Sequence, residues 1–103
     1  MKLIMTTCAE KGDAETLARK LVEGRLAACV QILSPMTSVY HWGGTIAVEQ
    51  EYLMFIKTTD ERYAEVEGFL LKEHPYETPE IAAFDADRVA AGYNAWLNET
   101  VSR

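Results

Sequence analysis

Apolar and polar positions along this chain follow two periods, and the switches between them outline its elements. Lys2 to Thr7 is a short apolar run of strand-like composition. Ala14, Leu17, Ala18, Leu21 and Val22 then recur at i, i+3, i+4, i+7 and i+8, one stripe of an amphipathic helix. Gly12 and Asp13 supply its start signal and Gly24 its stop. Leu26 to Leu33 is apolar and rich in small residues, which predicts a strand buried on both faces. Ser34-Pro35 should interrupt that strand as a bend or bulge rather than end it.

Pairing resumes from Met36 to Trp42, where Val39, Tyr40 and Trp42 favour β structure. Gly43-Gly44 predicts a two-residue turn, since glycine takes positive φ at both positions without steric cost. Thr45 to Thr59 forms the return arm, with Tyr52 to Ile56 apolar on both faces and therefore central in a sheet. Each arm runs about fifteen residues against a usual five or six, so the hairpin overhangs a domain this small. Thr58 with Glu61 reads as a capping box. Tyr63, Val66, Phe69 and Leu70 give the inward stripe of a second helix that must end before Pro75. Ile81 to Phe84 is a short strand. Val89, Tyr93, Trp96, Leu97 and Thr100 mark a third helix, with Asp87 as its candidate cap. The order βαββαβ plus a C-terminal helix predicts one α+β, ferredoxin-like domain over residues 1–103, with an antiparallel sheet and two helices on one face.

Composition narrows the class. Of 103 residues 49% are hydrophobic, and a chain of this size buries only about two-thirds of its unfolded surface. Apolar surface is left over, which favours an oligomer. The formal net charge is −6 and no Lys/Arg cluster is present, which argues against nucleic acid as a partner and suits cations better than anions. Cys8 and Cys29 are too few and too far apart for a disulfide framework or a metal knuckle, and read as reduced thiols. No apolar run reaches the length of a membrane-spanning helix, and no signal sequence is visible. The expected setting is the cytoplasm, with no membrane partner.

The densest chemistry lies in His74-Pro75-Tyr76-Glu77-Thr78-Pro79-Glu80-Ile81. Two prolines within five residues stiffen the backbone and hold their preceding residues extended. A rigid connector bearing an imidazole, a phenol and carboxylates is where sites tend to form. The alternative is structural: the prolines stop a helix and aim a strand, with Tyr76 packed on the core.

Arg25-Leu26-Ala27-Ala28-Cys29-Val30, Tyr40-His41-Trp42-Gly43-Gly44 leading to Lys57-Thr58-Thr59, the His-Pro-Tyr-Glu-Thr-Pro-Glu-Ile run, and Tyr93 with Trp96-Leu97 together resemble the CutA family of divalent-cation tolerance proteins. The match runs in order over nearly the whole chain. It implies a compact homotrimer whose hairpin arms extend sheets across subunit boundaries, an architecture shared with the PII signalling proteins, which bind small effectors between subunits. It also implies a role in tolerance to copper and other divalent metals. Copper-linked members pair a cysteine at the end of the first strand with two consecutive histidines before the proline. Here Thr6 stands at that cysteine position with Cys8 two residues on, and Glu73-His74 replaces the two histidines. Asp85-Ala86-Asp87-Arg88 departs from the more apolar, proline-containing strand end of the family.

His74 is the first candidate ligand for Cu2+ or Zn2+, with Glu73 or Glu77 as oxygen donors and Cys8, expected to be exposed after the first strand, as a soft one. A histidine balancing a helix C-terminal dipole is the bland alternative. Tyr40 and Trp42 are candidate trimer anchors, His41 a contact across the subunit boundary, and Glu49 and Glu51 a solvated or intersubunit charge row. Tyr76 and Cys29 are assigned to an intersubunit cleft, Cys29 as a buried thiol of an apolar strand. Enzymatic readings fare worse. The loop Thr7-Cys8-Ala9-Glu10-Lys11-Gly12 is a poor phosphate cradle beside that of acylphosphatases. Two distant histidines offer no evident paired base for a nucleophile. RNA-recognition modules share the fold, but basic residues and stacking aromatics on central strands are missing. Three classes remain: a homotrimeric divalent-metal binding and tolerance protein, a regulatory module holding a small effector in the cleft, and a non-catalytic trimeric scaffold.

Overall fold

The structure, a computed structural model, describes residues 1–102. Its elements run β1 (Lys2–Cys8), α1 (Lys11–Glu23), β2 (Cys29–Ile32), β3 (Met36–Trp42), β4 (Thr45–Thr58), α2 (Tyr63–Glu73), β5 (Ala82–Asp85) and α3 (Ala91–Val101), with a 3-10 turn at Asp60–Arg62. All strand pairs are antiparallel in the order β2-β4-β1-β5, and β3 continues along β4 beyond β2. The α+β, ferredoxin-like expectation holds.

One face of the sheet is closed by α1 and α2. Ile4 of β1 and Met54 and Ile56 of β4 join Leu17, Leu21, Val66 and Leu70 in the main core. Alternation along β1 and β4 places Leu3, Met5, Leu53 and Phe55 on the other face. Leu3 pairs with Phe84 of β5, which is 51% exposed, and the other four are half-buried. This second face is therefore strongly apolar and only partly covered. Only a small satellite of Ala28, Leu97 and Val101 forms apart from the main core.

Ser34-Pro35 behaves as expected. Ile32 pairs with Met54 and Met36 with Glu51, so Leu33, Ser34 and Pro35 oppose only Leu53 and Tyr52. The extra residue is a bulge, and it switches the alternation of the strand. Val30 and Ile32 lie on the helix side with Ile56 and Met54, whereas Met36, Ser38, Tyr40 and Trp42 join Glu51 and Glu49 on the open side. The opposite side of the arm carries Val39, Ile46 and Val48, all more than half exposed. Gly43 and Gly44, at φ 57° and 78°, make the tight turn between Trp42 and Thr45.

Several local expectations are corrected. Helix α1 starts at Lys11 behind Glu10, not at Gly12-Asp13; Asp13 sits in its first turn, where a carboxylate meets the positive dipole end. Gly24 is the C-cap, but the left-handed residue is Arg25 at φ 56°, anchored by its guanidinium to the Thr100 carbonyl at 3.0 Å. Strand β2 is shorter than Leu26–Leu33 and half-exposed, because it lies at the sheet edge and Leu26 and Ala27 donate instead to the Leu21 carbonyl. Thr58 and Glu61 form no capping box: Thr58 ends β4 and donates to the Leu26 carbonyl at 2.6 Å. Asp87 does not cap α3, which begins after Ala90 and buries Leu97 and Val101 while Tyr93 and Trp96 remain exposed.

Candidate functional site

The rigid connector meets the sheet where β1 runs out. Helix α2 ends as predicted, with His74 extended at φ −66°, ψ 137° ahead of Pro75. His74 is 7% exposed and turns toward the end of β1. The Tyr76 backbone N–H can only donate, so at 3.0 Å it fixes His74 Nδ1 as an acceptor. Nε2 therefore carries the proton and donates to the Thr7 carbonyl at 2.9 Å. Cys8 Sγ sits 3.7 Å from the same nitrogen and 3.9 Å from Met54 Sδ. Burial, more than any neighbouring charge, holds the imidazole below its ordinary pKa and so keeps it neutral.

Two residues further, the Tyr76 hydroxyl donates to Glu51 Oε2 at 2.7 Å. Glu51 is only 8% exposed. Burial pushes its carboxyl upward, but hydrogen bonds from Tyr76, Ser38 and Thr7 outweigh it and hold the group below the usual range. The same burial, with the Glu51 bond, raises the Tyr76 phenol. The pair is a carboxylate and a neutral phenol at neutral pH.

Around this pair opens a groove of ≈ 650 Å³ that runs along the hairpin arm, with Thr7, Tyr40, Trp42, Glu49, Glu51 and Tyr76 among its lining residues. Glu77 and Glu80 of the connector line it as well. None of its lining residues is Lys or Arg, and none of the four glutamates enters an ion pair among the described residues.

The four expected metal ligands do not converge. Both ring nitrogens of His74 are committed to backbone groups. Cys8 is fully buried rather than exposed, because β1 extends through it, and burial pushes its thiol up to about 11, far from the thiolate a metal needs. Glu73 reaches Lys20 at 3.3 Å, while Glu77 is exposed in the groove. Among the described residues no group of three or more His, Cys, Asp and Glu is placed to hold a metal ion. The residues of one chain do not fit a copper or zinc centre at His74. Cys29 is half-buried in β2 opposite Lys57, six positions along β4 from Glu51, or about 20 Å at strand rise, so it lies outside this groove. Tyr76 is in it. Glu51 is the residue whose part the sequence concealed: its alternation with Glu49 marked a face, but nothing local announced the bond to a phenol 25 positions away.

Residues 2–100 match the family described as CutA1 divalent ion tolerance protein. The divalent-cation tolerance protein CutA of Thermus thermophilus is 37% identical over 98 residues, covering 95% of each chain. Human protein CutA is 37% identical over 93 residues, and the chain spans 52% of its length. The solved structure of CutA from Synechococcus elongatus superposes with a TM-score of 0.95 at 38% identity, over 98% of this chain and 89% of that one. Matched along almost its whole length in sequence and in fold, this chain belongs to the CutA divalent-cation tolerance family.

Proposed function

We propose that this protein acts in divalent-cation tolerance as a non-catalytic homotrimer in the cytoplasm. The observation that carries the assembly is the open side of the sheet, where Leu3, Met5, Leu53, Phe55 and Phe84 face away from both core helices. A continuous apolar surface of that kind marks an interface. The aliphatic side of the arm, Val39, Ile46 and Val48, adds a second surface, and a three-fold ring covers both without leaving an open end. Tyr40 and Trp42 share the open side with Glu49, so in a trimer they stand at the edge of the groove as well as near a neighbour. Two free thiols suit a reducing compartment.

Divalent cations are cargo in this reading, met by exposed carboxylates such as Glu77 and Glu80 rather than by His74. Light scattering at micromolar concentration should give three times the 11.6 kDa chain mass. A single-chain mass overturns the assembly. Calorimetric titration with copper and with zinc should give the same binding for wild type and His74→Ala; loss of binding in that variant would return the site to the imidazole.

The groove favours a second reading, a regulatory module that holds a small effector beside the Tyr76–Glu51 pair. Its size, its aromatic wall and the few polar groups that converge on it are the features of a ligand pocket.

A further inference from the structure

We infer that His74 is a proton-operated latch: its neutral ring ties the connector to the end of β1, and protonation at Nδ1 releases it.

The latch follows from where the proline stands. Pro75 ends α2, holds His74 in extended backbone and has no N–H of its own, so the first donor of the connector is the Tyr76 N–H. That donor goes to His74 Nδ1 at 3.0 Å, while Nε2–H reaches the Thr7 carbonyl at 2.9 Å. One imidazole thereby bridges connector and strand through two backbone groups. Both bonds require the neutral ring with its proton on Nε2. The imidazolium carries N–H on both nitrogens. Its Nδ1–H would meet the Tyr76 N–H head-on, so an attraction becomes a repulsion and the amide must turn to water.

The surroundings decide how readily that proton enters. Burial disfavours the charged ring and prevails over the Thr7 carbonyl, Asp13 of α1 and Glu51 of β4, which favour it, so the latched ring stays below its ordinary pKa. Cys8 of β1, 3.7 Å from Nε2, is a neutral thiol raised to about 11. The Tyr76 ring, 4.9 Å from the imidazole, bears a neutral phenol, and Glu73 at the end of α2 is turned to Lys20 of α1 at 3.3 Å. Released into water, the ring regains a pKa of about 6.5. The open form therefore binds the proton first. Closure is complete above that value, and below it the open fraction rises about tenfold per pH unit until the latched ring itself titrates. Tyr76, Glu77 and Glu80 ride on this connector, so acid loosens the placement of one aromatic ring and two carboxylates together.

Amide hydrogen exchange of the intact protein, followed by NMR from about pH 7 to about pH 5 and corrected for intrinsic exchange rates, tests the latch. The Tyr76 amide should lose protection about tenfold per pH unit below about pH 6.5. Because the opening is local, it should also stay at least about tenfold less protected than Ile56, which is paired on both sides in β4. His74→Asn keeps an acceptor near the Nδ1 position and has no proton to gain, so Tyr76 protection should become independent of pH in that variant. Ring nitrogen shifts of the wild type at neutral pH should report the Nε2–H tautomer. If His74→Asn fails to fold, the wild-type profile and the ring shifts decide. Protection of Tyr76 that is flat with pH, or that equals that of Ile56 throughout, overturns the latch, as does an Nδ1–H tautomer. An unchanged pH dependence in His74→Asn places the proton on another group and overturns it as well.

Discussion

The Tyr76 hydroxyl donates to Glu51 at 2.7 Å and so ties the proline-stiffened connector to the strand that carries the hairpin arm. One hydrogen bond thereby couples the two parts of the chain that meet at the groove. Removing it while keeping the ring isolates its contribution. Tyr76→Phe should destabilise the protein by about 1.5–3 kcal/mol, the range for a hydrogen bond to a charged group. The folded Glu51 pKa is depressed, so its contribution is present above the ordinary glutamate value and is lost as pH falls through the folded one. The gap between wild type and Tyr76→Phe in thermal denaturation should therefore narrow on acidification. A gap that is constant from neutral to strongly acid pH contradicts the assignment of a stabilised carboxylate.

His74 titrates with the opposite chemistry and the same direction. Its folded pKa lies below the unfolded value of about 6.5. The unfolded chain therefore binds the proton first, and stability falls as pH drops through that value toward the folded pKa. Denaturant midpoints should decline between about pH 7 and pH 5. His74→Gln, which lacks a titrating group, should flatten that part of the profile. An unchanged slope in the variant would place the proton uptake on another group.

Cys8 should resist alkylation in the folded protein. Its side chain is fully buried between Met54 and His74, and burial raises its thiol to about 11. Mass spectrometry after iodoacetamide treatment at about pH 8 should find Cys8 unmodified until denaturant is added, because the thiolate is the reactive form. Rapid native labelling of Cys8 would show that the strand end opens.

These residues show what the sequence could and could not carry. Hydrophobic period gave the strands and helices directly, since Leu17, Leu21, Val66 and Leu70 must share a core to be buried. Gly43-Gly44 and Ser34-Pro35 marked the turn and the bulge because both act through backbone geometry encoded in single residues. Cap signals mislead because α1, α2 and α3 have no side-chain cap hydrogen bonds, and Thr58 gives its hydroxyl to the Leu26 carbonyl instead. His74 looked like a ligand because its true partners, the Thr7 carbonyl and the Tyr76 N–H, are backbone groups that any sequence would supply. Cys8 looked exposed because the strand end could not be located to the residue.

The open side of the sheet gives the sharpest test of assembly. Phe55 lies on it beside Met5, away from the core helices, and is half-buried in the single chain. Phe55→Asp places a charge where a neighbouring subunit would exclude water, and an unpaired buried charge there costs several kcal/mol, on the order of the 3–5 found when a buried ion pair is broken. The same change in a lone chain stays in contact with solvent and leaves the main core intact. Light scattering should therefore report dissociation toward the single-chain mass, while far-UV circular dichroism keeps the wild-type helix and strand signal. Retention of the full assembly by Phe55→Asp would mean that the open face is not the surface that joins subunits, and the aliphatic side of the arm, Val39, Ile46 and Val48, would then have to carry the contact alone.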